Sequence, residues 1–167
     1  AAFCVDCGRT TVLGQRLLRI FIFMLFAASL AAARDIALVS NKSNATRAIT
    51  VPDLVKVCKA QTERWPDGKP VTFVMRSPAT AEMKIVLERI YSMSERDVDS
   101  LIVTSNDRRA SHPAIVIATS DEELVNKVAS TPGAIGVVDV YSINSSVAVV
   151  KIAGKLPLQP GYLLHGN

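Results

Sequence analysis

Cysteine and histidine are the side chains best suited to ligate metals or attack an electrophile, and this 167-residue chain holds three of the first and two of the second. Cys4 and Cys7 stand in a C-x-x-C arrangement, which can mark a redox pair or half of a zinc site. No second pair accompanies them. His112 precedes Pro113 in a stretch read as loop, and His165 lies in the tail; neither has a Cys or carboxylate at metal-ligand spacing. No G-x-S-x-G, H-E-x-x-H or phosphate-loop pattern occurs. Asp107-Arg108-Arg109 reads as a solvated loop, and Asn41, Asn44 and Asn144 each open an N-x-S/T triplet of a kind common by chance. These residues predict no enzyme, no metal site and no cofactor.

The 49% hydrophobic fraction is unevenly spread, and much of it sits in residues 20–33. This run carries no charge, follows Arg16 and Arg19, and ends with Ala31 and Ala33 in an A-x-A arrangement. A basic region, a short apolar region and a small-residue site are the parts of a secretion signal, with cleavage expected near Ala33. The alternative is a membrane anchor. Fourteen residues rise about 21 Å as a helix, short of the roughly 30 Å hydrocarbon core, so no stable anchor is expected. No Cys follows the run to be acylated. The C-x-x-C pair lies upstream of this segment, which fits a long n-region or a misassigned start better than a functional thiol pair.

Cleavage would remove Arg9, Arg16, Arg19 and Asp6, lowering the formal charge from +4 to +2. Residues 34–167 then show no basic stripe suited to nucleic acid. Cys58 would be their sole cysteine, so an internal disulfide is excluded and the core alone must hold the fold.

Within that part, apolar runs at 36–39, 71–75, 114–118, 134–138 and 147–152 predict five buried strands. Between them lie helical patterns. Thr50 caps the first, with Pro52 in its first turn and Trp65-Pro66-Asp67-Gly68 as its stop. Ser77 and Pro78 open the second, over about 79–93, with Met83, Val86, Leu87 and Ile90 on one face. Ser94 and Asp97 restart a third in a capping-box-like relation, and Ser120 caps a fourth that opens on three acidic residues and turns Leu124, Val125 and Val128 inward. Val/Ile runs alternating with amphipathic helices predict an α/β domain with a mainly parallel five-stranded sheet flanked by helices. Residues 34–167 are expected to form one domain.

The order of landmarks resembles a known family. A strand ending in Asn41-Lys42-Ser43-Asn44 leads to Trp65-Pro66-Asp67-Gly68; a strand ending in Arg76 and a long helix follow, and then Thr131-Pro132-Gly133-Ala134-Ile135-Gly136. This is similar to the substrate-binding proteins of phosphate ABC transporters, in the periplasmic-binding-protein superfamily, and above all to its short single-lobe members. The likeness spans residues 36–161. The Thr-Pro-Gly-Ala-Ile-Gly motif reads first as a folding marker, because Gly133 suits a left-handed position after a helix and Gly136 permits close approach in a strand.

The resemblance implies an oxyanion site. In two-lobed relatives, phosphate lies in the cleft between lobes, held by helix N-termini, hydroxyls and one Arg. The matching stretch places Arg76, Ser77 and Thr80 as ligand-binding residues, while Ala81 and Glu82 stand where the family has Gly and a second hydroxyl. Glu82 would repel a bound phosphate unless its side chain turns away, and Pro78 lacks one N–H donor. The other reading is that Ser77 merely caps the helix and Arg76 is a surface charge. The expected function is therefore an exported, periplasmic or secreted, module for phosphate or a similar oxyanion, accessory to an ABC transporter or self-associating. The alternative is a structural or interaction domain that kept the lobe and lost the ligand.

Overall fold

The computed structural model describes residues 34–109 and 111–166. The C-x-x-C pair and the expected secretion signal with its cleavage point lie outside them. Among the described residues no helix is long and apolar enough to cross a membrane.

Five strands form the main sheet: β1 (Ile36–Asn41), β3 (Thr72–Arg76), β4 (Ile115–Ala118), β5 (Ala134–Asp139) and β6 (Val147–Val149), in the order β4-β3-β5-β1-β6. Strand β3 pairs parallel with both β4 and β5. Strand β1 runs against β5 and against β6, with Leu38 opposite Val137 and Val39 opposite Val149. The sheet is mainly parallel, as expected, with β1 the reversed strand. A strand buried on both faces shows an unbroken apolar run whichever way it points, so its direction is not written in that run.

The stretch 147–152 is not one strand. Val150 still donates its N–H to Leu38 O, but the chain then leaves the sheet, and β7 (Lys151–Ile152) pairs with β2 (Ala48–Ile49) in a separate two-stranded ribbon.

Three of the predicted caps are made. Thr50, Ser94 and Ser120 accept hydrogen bonds from the N–H groups of Asp53, Asp97 and Glu123 and start α1 (Val51–Cys58), α3 (Glu95–Asp107) and α4 (Asp121–Ser130). Helix α1 ends earlier than the Trp65 turn: it stops at Cys58, and Ala60 turns left-handed at φ 57°. The segment expected as one helix over 79–93 is a 3-10 turn (Ala81–Met83), an α turn α2 (Lys84–Val86) and a π turn (Leu87–Tyr91), closed by left-handed Ser92. Met83, Val86, Leu87 and Ile90 are buried as their spacing requires, and the wider last turn also brings Tyr91 inside.

Two cores cover the two sheet faces. Phe73, Met75, Ile135 and Val137 pack with Leu54 and Val57 of α1, with Met83 to Tyr91 and with Val98 of α3. Val39, Val74 and Val138 face Leu124, Val125 and Val128 of α4. Gly136 makes the second contact possible: a Cβ there would stand 2.7 Å from Val74 O and 3.1 Å or less from Val128 and Leu124 methyls.

Arg109 is no solvated loop residue. Its guanidinium donates to Val71 O, Ala60 O and Thr62 O at 2.6 to 3.2 Å, tying the chain after α1 to the start of β3. Asn41 and Asn44 are buried with their amides bonded inside, so neither presents an acceptor for glycosylation.

Candidate functional site

Arg76 is the last residue of β3 and lies in register with Ala118, the last of β4. From these two ends the chain turns to opposite faces of the sheet: β3 runs on toward the 3-10 turn packed in the first core, and β4 into α4, packed in the second. Such divergence marks the strand-end region, here called the crevice, where open α/β sheets bind ligands. Arg76 and Ser77 stand on one side of it, Thr119, Ser120 and Asp121 on the other.

The crevice contains an ion pair. Arg76 Nη1 donates to Asp121 Oδ1 at 3.0 Å, with side-chain exposures of 22% and 20%. Ser142 Oγ donates to the other carboxylate oxygen, Oδ2, at 3.0 Å. Ser142 comes from the 3-10 turn Val140–Ser142 after β5, which Asp139 fixes by accepting the Tyr141 N–H at 2.8 Å. The guanidinium is not fully used: Arg76 Nε is buried without a partner among the described residues.

Ser77 and Thr80 are local turn residues. Ser77 Oγ accepts from Ala79 N at 3.4 Å, and Thr80 Oγ1 donates to Ser77 O at 2.9 Å. Ser77 does not cap the helical segment as expected. Thr80 holds the cap position, in an extended conformation, but its side chain accepts no capping hydrogen bond. Its hydroxyl is turned back into the preceding turn, where it donates to the Ser77 carbonyl.

Glu82 is paired with an arginine other than Arg76. Its Oε1 accepts from Arg34 Nη1 at 2.7 Å, and Arg34 Nε lies 3.9 Å from Asp139 Oδ2. The acidic start of α4 divides its work. Asp121 faces Arg76, whereas Glu123 accepts from the Thr119 N–H and hydroxyl at 2.7 and 2.6 Å, which hold its pKa below the usual carboxylate value. Arg34, Asp121 and Ser142 escaped the sequence reading. Asp121 looks like an ordinary helix-dipole carboxylate, and its Arg partner lies 45 residues away.

The other chemistry-bearing groups do not assemble. His165 Nδ1 lies 2.6 Å from Asp35 Oδ1, and His112 Nδ1 is 3.0 Å from Ser111 Oγ. Cys58 is fully buried, and its desolvated thiol is pushed far above ordinary thiol pKa values. No three His, Cys, Asp or Glu side chains gather as a metal ion would require, among the described residues. A surface cavity of about 750 Å³ lies between the end of α1 and α3, but its Arg109 already serves three carbonyls and Glu63 and Asp97 share its wall. A second, of about 500 Å³, lies beside Ile49, Asp53 and Trp65. Neither includes Arg76. Arg76 differs from the arginines of these cavities in holding a buried donor, Nε, without a partner among the described residues.

A family profile described as PBP superfamily domain matches residues 25–160. Among solved structures the chain is similar to an ABC-type phosphate transport receptor from Vibrio cholerae, at 17% identity and a TM-score of 0.64, over 80% of this chain and 54% of that one. It is similar to PstS from Borrelia burgdorferi, at 14% identity and a TM-score of 0.62, over 81% of this chain and 56% of that one. A phosphate binding protein from Stenotrophomonas maltophilia matches at 17% identity and a TM-score of 0.55, over 75% of this chain and 40% of that one. The chain thus spans about half the length of the solved structures it matches. No curated protein matches it.

Proposed function

The chain belongs to the PBP superfamily, and from that membership we propose that it is an exported module that binds phosphate or a similar small oxyanion, accessory to ABC-type uptake. One observation carries the reading: Arg76 stands at the end of β3, in register with the end of β4, with Nε buried and unpaired among the described residues. A guanidinium offers a planar fork of donors that matches the oxygens of an oxyanion, and the Glu82 carboxylate is occupied by Arg34. Ser77 and Thr80 line the same turn and supply hydroxyls once the turn rearranges around a ligand.

An anion held by this lobe alone would stay partly in water, where screening weakens each contact. The affinity expected is micromolar or weaker, equivalent to about 8 kcal/mol at most. Calorimetric titration of the purified protein with phosphate, sulfate and chloride tests the reading; heat with phosphate alone, or with phosphate and sulfate, supports it. Export is tested separately: the intact mass of secreted protein should place the N-terminus at or near Arg34, while full-length chain recovered only from membranes would refute cleavage.

A second reading, an interaction domain without a ligand, draws on Tyr141. It is 86% exposed on a turn whose Tyr141 N–H is bonded by Asp139, and Arg76 already has a carboxylate partner. An exposed tyrosine on a fixed turn suits a protein contact. Absence of heat with all three anions would favour this reading.

A further inference from the structure

We infer that the Asn106 side chain plugs an open edge of the main sheet: it takes the place of a neighbouring strand on β4 and keeps a second copy of the chain from pairing there.

Strand β4 stands at the end of the sheet, bonded to β3 on one side only. The Phe73 N–H donates to Ala114 O at 2.8 Å, and Phe73 lies opposite Ile115. In a parallel ladder this phase turns the backbone polar groups of Val116 toward β3 and those of Ile115 and Ile117 outward. Outward groups on an edge strand are a template for another strand. The sequence of β4, Ile115-Val116-Ile117-Ala118, holds no charge or proline to discourage one.

Asn106, in the last turn of α3, closes half of that edge. Its Oδ1 accepts the Ile115 N–H at 3.0 Å, and its Nδ2 donates to Ile115 O at 2.9 Å. A carboxamide carries the donor and acceptor of a peptide group, so it satisfies Ile115 as a strand would. Ile117 keeps its outward groups without a partner among the described residues, and it is 37% exposed.

The register shows what the plug excludes. Two copies of β4 set antiparallel about a twofold axis at Val116 would place Ile115 of each against Ile117 of the other. Each pair would exchange two backbone hydrogen bonds and bring two isoleucines together on one face, covering the exposed Ile117. Both pairs need a free Ile115. With Asn106 in place, neither forms.

Molar mass from light scattering, measured over a range of protein concentrations, tests this on purified wild type, Asn106→Ala, and Asn106→Ala combined with Ile117→Pro. Asn106→Ala should rise toward twice the wild-type mass as concentration increases. Adding Ile117→Pro should return the wild-type mass, because proline deletes an outward N–H and no bond to β3. A folded Asn106→Ala with the wild-type mass would overturn the proposal, as would association that Ile117→Pro leaves intact. Should Asn106→Ala fail to fold, the same outcomes are read from Asn106→Ser, whose shorter side chain cannot bridge both groups of Ile115. Hydrogen exchange on the wild type needs no variant: the Ile115 amide should exchange at least tenfold more slowly than the Ile117 amide, and equal rates would overturn the proposal.

Discussion

The Trp65 indole N–H donates to the Gly133 carbonyl at 2.7 Å, joining two turns that lie 68 residues apart. One is the turn after α1, where Gly68 donates back to Trp65 O; the other links α4 to β5. Asn44 clamps the same place from a third direction. Its Oδ1 accepts the Gly133 N–H at 2.8 Å and its Nδ2 donates to Ala134 O at 2.9 Å. All three residues are landmarks of the family resemblance, and they meet as a structural knot rather than as a ligand site.

This knot should be visible in stability. Asn44→Ala removes both partners of buried backbone groups and should cost about 2 to 4 kcal/mol, since unsatisfied buried groups cost roughly 1 to 3 kcal/mol each. Trp65→Phe, which keeps most of the ring and loses the donor, should cost less, about 1 to 2 kcal/mol. Urea unfolding of the two variants checks the order; equal and negligible losses would show that the hydrogen bonds do not hold the turns.

Gly136 should be intolerant of any side chain. Gly136→Val would strain the β3–β5 pairing and push on α4, because the added Cβ meets Val74 O of β3 at 2.7 Å and the Val128 and Leu124 methyls of α4 at 3.0 and 3.1 Å. Overpacking of this kind costs typically 1 to 3 kcal/mol, and the backbone contact places this variant at or above the upper end. An unchanged melting temperature would contradict the close packing of α4 on β5.

Much of this framework was legible in short stretches of residues. Thr50, Ser94 and Ser120 each precede an acidic residue by three positions, and capping is a local event that such spacing reports directly. Buried strands announced themselves as Val/Ile runs. What stayed hidden depends on distant partners. Val150 belongs to one apolar run, yet the chain divides there because β2 competes for its last residues. Arg109 looked solvated because its three carbonyl acceptors, on Val71, Ala60 and Thr62, are 38 to 49 residues away. The site shows the same limit. Arg76 was found through the family pattern, while Asp121, which pairs with Arg76, and Ser142, which donates to Asp121, carry no local mark of those contacts.

Alkaline pH should loosen the C-terminal segment. The Tyr162 hydroxyl accepts the Leu38 N–H at 3.3 Å inside the first core, and burial pushes its pKa up from 10 to about 12. Its folded pKa exceeds its unfolded one, so the folded state favours the protonated phenol. The associated stability is complete below pH 10 and is lost as pH rises toward 12. Thermal melts should be flat between pH 8 and 9.5 and fall beyond pH 10, and Tyr162→Phe should shrink that fall. Identical alkaline profiles for the two proteins would show that Tyr162 is not the responsible group.

The central claim is that Arg76 is an anion receptor at the carboxyl ends of β3 and β4, and calorimetric titration of Arg76→Ala with phosphate tests it most directly. Arg76→Ala should keep its fold, at a stability within about 1 to 3 kcal/mol of wild type, since the pair it breaks is partly exposed and Asp121 retains Ser142. Wild type is expected to bind phosphate with micromolar or weaker affinity, and folded Arg76→Ala to give no measurable binding. Phosphate affinity undiminished in folded Arg76→Ala would contradict the account.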